Sequence, residues 1–357
     1  MELKELRTQI DQIDDRLLQL LNERMSLVKE VGKFKTKNKV LVYQPDREKA
    51  ILDRLGDLND GLLNEQAIEA IFLEIFAVSR NIELPERIAY LGPEGSFTHQ
   101  AAENRFGSMS EYLPLGSIQA VFETVDTHRA NYGVVPIENN QQGVVNETID
   151  YLVGSDLKIV AEIPMSIHFS FATKSEKLRD ITKIYSKDIA FRQCKKFIDD
   201  LYGKNQVELI PVNSTSKAVE IALQDSKSAA ICSHIAARQY NLPILFENIE
   251  DSRDNQTRFL ILGREIIKEK SKKDKSTILV KLTNSNEPGK LASFLQDFHQ
   301  ANINLTKIES RPAKKGKNFN YVFFIDFDGH FLDEHVSEVL EKHKKEITLL
   351  GSYIKLC

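Results

Sequence analysis

Apolar residues at Leu3, Leu6, Ile10, Ile13, Leu17, Leu20, Leu27, Val31 and Phe34 recur at alternating steps of three and four. That spacing holds one stripe in register and predicts a single long helix with a heptad seam. Arg24 falls on the stripe where an apolar residue belongs. A guanidinium there is costly unless a negative group meets it, either a bound anion or an acid on a neighbouring helix. Lys35 lies about 16 Å further along the axis and is turned only about 20° around it, so the two cations could bracket a small dianion. Arg7 borders the same seam but lies about 25 Å below Arg24, beyond reach of that ligand within one chain. Any share it takes is in a partner's site, which implies intertwined dimers.

A second helix is predicted from Gln44-Pro45-Asp46-Arg47-Glu48, with proline in the first turn and acids near the positive helix end. A third begins near Asn64 and turns Ile68, Phe72, Ile75, Ser79 and then Ile82 or Glu83 toward the core. After Leu84-Pro85-Glu86 the pattern changes to alternating strands and helices. Strands are expected at Arg87–Gly92, Tyr132–Ile137, near 157–173, 183–186, 207–212 and 228–232, and helices near 189–202, 216–225 and 234–239. Polar turns follow the strands: Pro93-Glu-Gly-Ser-Phe-Thr98, Glu138-Asn-Asn-Gln-Gln-Gly143 and the serines and threonine of Val212–Lys217. The run Asp251–Thr257 then stops abruptly at an apolar strand ending at Gly263, placing Thr257 and Arg258 where a loop feeds a sheet. Two α/β lobes with polar loops facing a cleft are the economical arrangement. Lys268 to Lys275 is read as a solvated linker. Beyond it come a strand (276–284), a helix from Pro288, a strand (303–311), a Lys-Gly turn, a strand (320–328), a helix (332–345) and a strand (347–355). That order predicts a ferredoxin-like α+β unit.

A length of 357 residues fits two to three domains, and 41% hydrophobic with 28% charged residues is globular composition. The net charge of −4 argues against nucleic acid as the main partner. No apolar run approaches membrane-spanning length and the N-terminus lacks a signal-peptide core, so a cytoplasmic protein off the membrane is expected. Cys194, Cys232 and Cys357 have no CxxC spacing, and the histidines no metal-ligand spacing, so neither metal nor cofactor is expected.

The helix carrying Arg7, Arg24 and Val31-Gly-Lys-Phe-Lys35, followed by Pro45-Asp-Arg-Glu48 and Ser79…Glu83, resembles the all-helical chorismate mutase of bifunctional P-proteins. The resemblance implies a chorismate site made of Arg7 from the other subunit, Arg24, Lys35, Arg47, Glu48, Ser79 and Glu83. Arginines and lysine would hold the two carboxylates, Glu48 a hydroxyl, and Lys35 and Glu83 the ether oxygen whose bond breaks. A carboxyl donates to that oxygen only when protonated, a state that burial favours, so mutase activity is expected to fall as pH rises.

Gly92-Pro-Glu-Gly-Ser-Phe-Thr98, Val135-Pro-Ile-Glu-Asn139, Tyr185-Ser186…Gln193-Cys194 and Asn255-Gln-Thr-Arg-Phe259 together resemble prephenate dehydratase. By that resemblance Thr257 is catalytic, assisting the leaving hydroxyl, and Asn139, Ser186, Gln193 and Arg258 bind prephenate or support the cleft. Lys187 and Ile189 stand where that family commonly has His and a second Gln. A second reading therefore makes the middle domain a sensor that holds prephenate or an amino acid without turning it over. Glu287-Pro-Gly-Lys-Leu291 and Glu309-Ser-Arg-Pro312 resemble an ACT regulatory domain. This implies phenylalanine as effector, bound by Gly289, Leu291, Glu309, Ser310 and Arg311 at a dimer interface. The expectation is thus a homo-oligomer, at least a dimer, of three-domain chains: helical mutase 1–84, two-lobed α/β dehydratase 87–264 and ACT 276–357. It would act on chorismate and then prephenate in phenylalanine biosynthesis.

Overall fold

The computed structural model describes residues 3–38, 42–203, 207–252, 254–271, 273–282, 287–312 and 321–355. The expected Lys-Gly turn, the end of the 276–284 strand and Cys357 lie outside them. The chain forms two compact units, residues 1–86 with 106–111, and residues 87–105 with 112–357.

The first unit holds three helices among the described residues: α1 (Leu3–Asn38), α2 (Pro45–Leu58) and α3 (Glu65–Glu83). Pro45 opens α2, where its missing N–H is no loss. Asn64 caps α3 by accepting the Ala67 N–H at 2.8 Å. A Cβ built on Gly32 would lie 3.0 Å from the Glu83 Cα, so glycine is what lets α1 and the end of α3 approach this closely. That approach brings the Arg24–Lys35 stretch onto α3. The apolar α1 seam itself stays bare in the single chain, with Leu27 70% and Phe34 65% exposed.

The second unit contains three sheets among its described residues. The first runs in the order Glu111–Leu115, Arg87–Leu91, Tyr132–Asn139, Gln256–Gly263, Lys158–Ser166, with the short Gly143–Val144 paired onto Tyr132–Asn139. The second runs Ile244–Phe246, Ser170–Thr173, Ser228–Cys232, Lys183–Ser186, Glu208–Pro211. These sheets are the cores of the two lobes. The third runs Leu305–Pro312, Tyr321–Asp328, Asp274–Val280, Ile347–Ile354, with helices Lys290–Gln300 and Glu334–Lys342 in the βαββαβ order expected. One face of this last sheet packs under its helices around Phe294, Phe298 and Phe327. Leu279, Phe324 and Leu350 instead join the core of the first lobe with Val135, Ile159 and Leu260. Gly351 makes this possible: a Cβ there would run into the Ile159 carbonyl.

Several expectations need correction. The apolar run 157–173 is two strands, Lys158–Ser166 and Ser170–Thr173, that belong to different lobes. Apolarity on both faces hides such a crossing from a periodicity reading. The 189–202 helix is broken at Cys194 into Asp188–Gln193 and Lys195–Tyr202. The supposed solvated linker ends early, since Asp274 and Lys275 are buried at the start of a strand. Lys275 is covered because carboxylates meet it.

Candidate functional site

In the helical unit the polar residues of α1 and α3 meet. The Arg24 guanidinium donates to the Ser79 hydroxyl at 2.5 Å and lies 6.0 Å from the Phe76 ring centroid. Ser79 in turn donates to the Ile75 carbonyl at 2.6 Å. Among the described residues Arg24 has no carboxylate within ion-pair distance. Its pKa is lowered, chiefly by burial, with Glu83 acting in the opposite direction. One helical stretch further on, the Lys35 ammonium lies 2.8 Å from Glu83 and donates to the Val42 carbonyl at 3.1 Å. An ammonium carries three N–H donors, so one remains for a ligand. Lys35 and Glu83, the two residues expected at the ether oxygen, are thus side by side. Of the two residues left open at the end of α3, Glu83 points inward and Ile82 is 41% exposed.

Three predicted residues sit differently. Arg7 and Arg47 are exposed on α1 and α2. Glu48 is buried and ion-paired with Arg80, which also holds Glu86 through Nε at 3.1 Å and donates to the Phe106 carbonyl at 3.2 Å. Burial opposes the Arg80 charge, but Glu48 and Glu86 outweigh it and raise its pKa. Sequence reasoning passed over Arg80; a second charged residue beside Ser79 near the end of an apolar helix was the signal.

In the α/β unit Thr257 and Asn139 are cross-strand partners on neighbouring antiparallel strands. The Asn139 amide nitrogen lies 2.9 Å from the Thr257 hydroxyl and 2.8 Å from Asn255 Oδ1. Its carbonyl oxygen accepts the N–H groups of Gln141 and Gln142, at 3.0 and 2.9 Å. Asn139 is thus fixed in one amide orientation, and Thr257 accepts from it. Among the described residues nothing accepts the Thr257 proton. Gln193, on the other lobe, donates to the Gln141 side chain at 2.6 Å and so reaches the same loop. Ser186 is fully buried and donates to the Ile231 carbonyl at 2.6 Å, a support within its own lobe. Asn255 and Gln141, both inside motifs read for other residues, complete the cluster.

Arg258 is not brought to this cluster. Its guanidinium lies 2.9 Å from Asp326, 3.3 Å from Glu138 and 3.5 Å from Glu162. Burial works against its charge, yet Asp326, Tyr353, Glu162 and Glu138 together raise its pKa. Successive residues on a strand face opposite ways, so Thr257 and Arg258 cannot serve one side together.

Profiles of known families match both units. The one described as chorismate mutase type II covers residues 6–84, and the one described as prephenate dehydratase covers residues 88–267. A bifunctional chorismate mutase/prephenate dehydratase of Aquifex aeolicus is 42% identical over 99% of this chain and 98% of its own. The chain belongs to the bifunctional chorismate mutase/prephenate dehydratase family. The Escherichia coli K12 member is 32% identical over 98% of this chain and 95% of its own. A solved prephenate dehydratase of Arthrobacter aurescens, in complex with L-Phe, is 32% identical with a TM-score of 0.68, over 75% of this chain and 90% of that one. The mutase profile spans the helical cluster, and the dehydratase profile spans the Asn139–Thr257 pair. Elsewhere, Gly289 takes φ +82 just before helix Lys290–Gln300, and Leu291 packs into the core beneath that helix. Glu309 and Ser310 lie along strand Leu305–Pro312, and Arg311 reaches Asp150 of the first lobe at 3.3 Å. No helix among the described residues is long and apolar enough to cross a membrane.

Proposed function

We propose that chorismate is rearranged to prephenate between α1 and α3, and that prephenate loses hydroxide and carbon dioxide beside Thr257 to give phenylpyruvate. One observation carries this reading: each cluster has a polar group with capacity its own protein leaves unused. Among the described residues Arg24 has no carboxylate within ion-pair distance, and the Thr257 O–H has no acceptor.

The first reaction is pericyclic and needs no nucleophile. The dianion must be held compact while charge develops on the breaking ether oxygen. Arg24 takes one carboxylate with Ser79 steadying its guanidinium, and the spare N–H of Lys35 meets the ether oxygen. Glu83 keeps that ammonium in place, and Arg80 keeps Glu48 in place. Arg7 serves through a second copy, whose α1 covers the bare seam of the first. Burying each Leu or Phe there is worth about 1.5–3 kcal/mol. Arg47, exposed in the single chain, closes the site only in that assembly.

In the second reaction the leaving hydroxide gains negative charge as the ring becomes aromatic. A threonine is too weak an acid to ionise at equilibrium, so it donates as charge develops. Asn139 aims it, and Gln193 holds the loop across the cleft through Gln141. Phenylalanine, the product's amino-acid counterpart, acts as effector in the C-terminal βαββαβ unit, an ACT domain, near Gly289, Leu291, Glu309, Ser310 and Arg311. Its effect requires different affinities for active and inactive states. The protein works in the cytoplasm, in keeping with the free, buried Cys194 and Cys232.

The test is turnover of chorismate and of prephenate by the purified protein, each with and without phenylalanine. Both substrates are consumed, and phenylalanine slows phenylpyruvate formation. Prephenate bound but never converted would leave a mutase joined to a sensor.

A further inference from the structure

The chain crosses between the two lobes twice, from Ser166 to Ser170 on the way out and from Phe246 to Gln256 on the way back. The crossings are laced together. The Ile167 N–H donates to the Asn255 carbonyl at 2.8 Å, and the Ile249 N–H to the Phe169 carbonyl at 3.1 Å. The buried Glu250 carboxylate accepts the Phe169 N–H at 3.0 Å and lies 2.7 Å from His168 Nδ1.

Asp251, next in the chain, meets the break in the helix of the second lobe. A helix end leaves carbonyls without N–H partners, and a helix start leaves N–H groups without acceptors. Cys194 separates Asp188–Gln193 from Lys195–Tyr202 and gives the second helix no side-chain cap. Asp251 serves both ends. Its N–H donates to the Gln193 carbonyl at 2.6 Å, and its Oδ1 accepts the Lys196 N–H at 3.0 Å. Either contact alone would let the backbone at the break swivel; the two together fix its direction. From that fixed backbone the Gln193 side chain reaches Gln141, whose N–H is held by Asn139. A continuous path of hydrogen bonds thus runs from Asp251 through Gln193, Gln141 and Asn139 to Thr257.

We propose that Asp251 is a positioning residue of the dehydratase: it clamps the helix break at Cys194 to the return crossing and so aims Gln193 at the loop that holds Asn139. It acts as an acceptor at a set distance, a role that an asparagine oxygen fills as well as a carboxylate does. The inference rests on the reading of Gln193 as the residue that holds that loop across the cleft.

The experiment follows phenylpyruvate formation by the full-length protein and its Asp251→Ala, Asp251→Asn, Asp251→Glu, Gln193→Ala and Asp251→Ala/Gln193→Ala variants. Chorismate consumption and a thermal melt are recorded on the same samples. Loss of a helix cap shifts an equilibrium about 3- to 30-fold. Asp251→Ala should lower dehydratase kcat by about that factor, with KM within about twofold and mutase turnover unchanged. Gln193→Ala should lower kcat at least as far, and the double variant no further than Gln193→Ala alone, because Asp251 acts through Gln193. Asp251→Asn keeps the acceptor at the same reach and should stay within about twofold of the unmodified enzyme. Asp251→Glu keeps the charge but not the reach and should fall below it. The inference is overturned if Asp251→Ala turns over normally, if Asp251→Asn falls as far as Asp251→Ala, or if the losses multiply in the double variant. Should Asp251→Ala fail to fold, the other two decide: a higher kcat for Asp251→Asn than for Asp251→Glu supports the clamp, and any other order refutes it. Normal turnover by Gln193→Ala would instead overturn the reading of Gln193, and this inference with it.

Discussion

Arg24 and Arg258 look alike in the sequence: each is a lone arginine next to residues that resemble a substrate site. Their surroundings differ. Arg24, in the helical unit, touches a serine hydroxyl and an aromatic ring and has no carboxylate among the described residues. Arg258, in the α/β unit, has three. The pKa directions follow, lowered for Arg24 because burial dominates and raised for Arg258 because its acids outweigh burial. A buried cation that is to bind an anion must be left short of counter-charge; one already neutralised holds structure. Lys35 lies between these cases, paired with Glu83 but with an N–H to spare.

The comparison can be broken at several points. Arg24→Ala should have the largest effect, because removing one partner of a desolvated charged contact costs about 2–5 kcal/mol. That corresponds to a loss of about 30- to 3,000-fold in mutase kcat/KM, with dehydratase kinetics unchanged. Thr257→Ala should lower dehydratase kcat by about 10²–10³-fold, the usual cost of losing one donor to developing negative charge. Thr257→Ser, which keeps the O–H, should retain most of it, and neither variant should change chorismate consumption. Glu83→Gln should lower the mutase rate by less than Lys35→Ala does and leave the shape of its pH profile unchanged. A profile that flattens would return the donor role to Glu83.

Gly351→Ala bears on the other side of the comparison. Its methyl group meets the Ile159 carbonyl, and overpacking of this kind costs about 1–3 kcal/mol. The melting temperature should fall, since the C-terminal sheet is pushed off the first lobe, while mutase turnover persists. The smallest effect is expected for Asn64→Ala, which removes the cap of α3 at a cost of about 1 kcal/mol and leaves the Arg24–Ser79 contact in place.

Much of the fold could be read from periodicity. The seam of α1 and the βαββαβ order at the C-terminus follow directly from the spacing of apolar residues. What escaped depends on tertiary partners. A run apolar on both faces gives no sign of where it leaves one sheet for another, so the crossing between Ser166 and Ser170 was invisible. Lys275 reads as linker until Glu162 and Asp326 are seen around it. The same limit applies to the sites. Arg24, Ser79, Lys35 and Glu83 stood out because polar residues interrupted an apolar helix face, and Thr257 and Asn139 because a polar loop met a strand. Arg258 shares Thr257's motif, and only strand alternation together with a distant aspartate separates the two. Arg80 and Asp326 are defined by partners far away in the chain, which local spacing does not encode.

A crystal structure with an unreactive cyclohexene dicarboxylate shaped like the substrates, present in both sites, tests the counter-ion argument most directly. A ligand carboxylate should lie about 3 Å from the Arg24 guanidinium, while Arg258 remains on Asp326 with no ligand oxygen in contact. A carboxylate seated on Arg258 with Asp326 released, or Arg24 turned onto an acid of its own chain, would contradict the account.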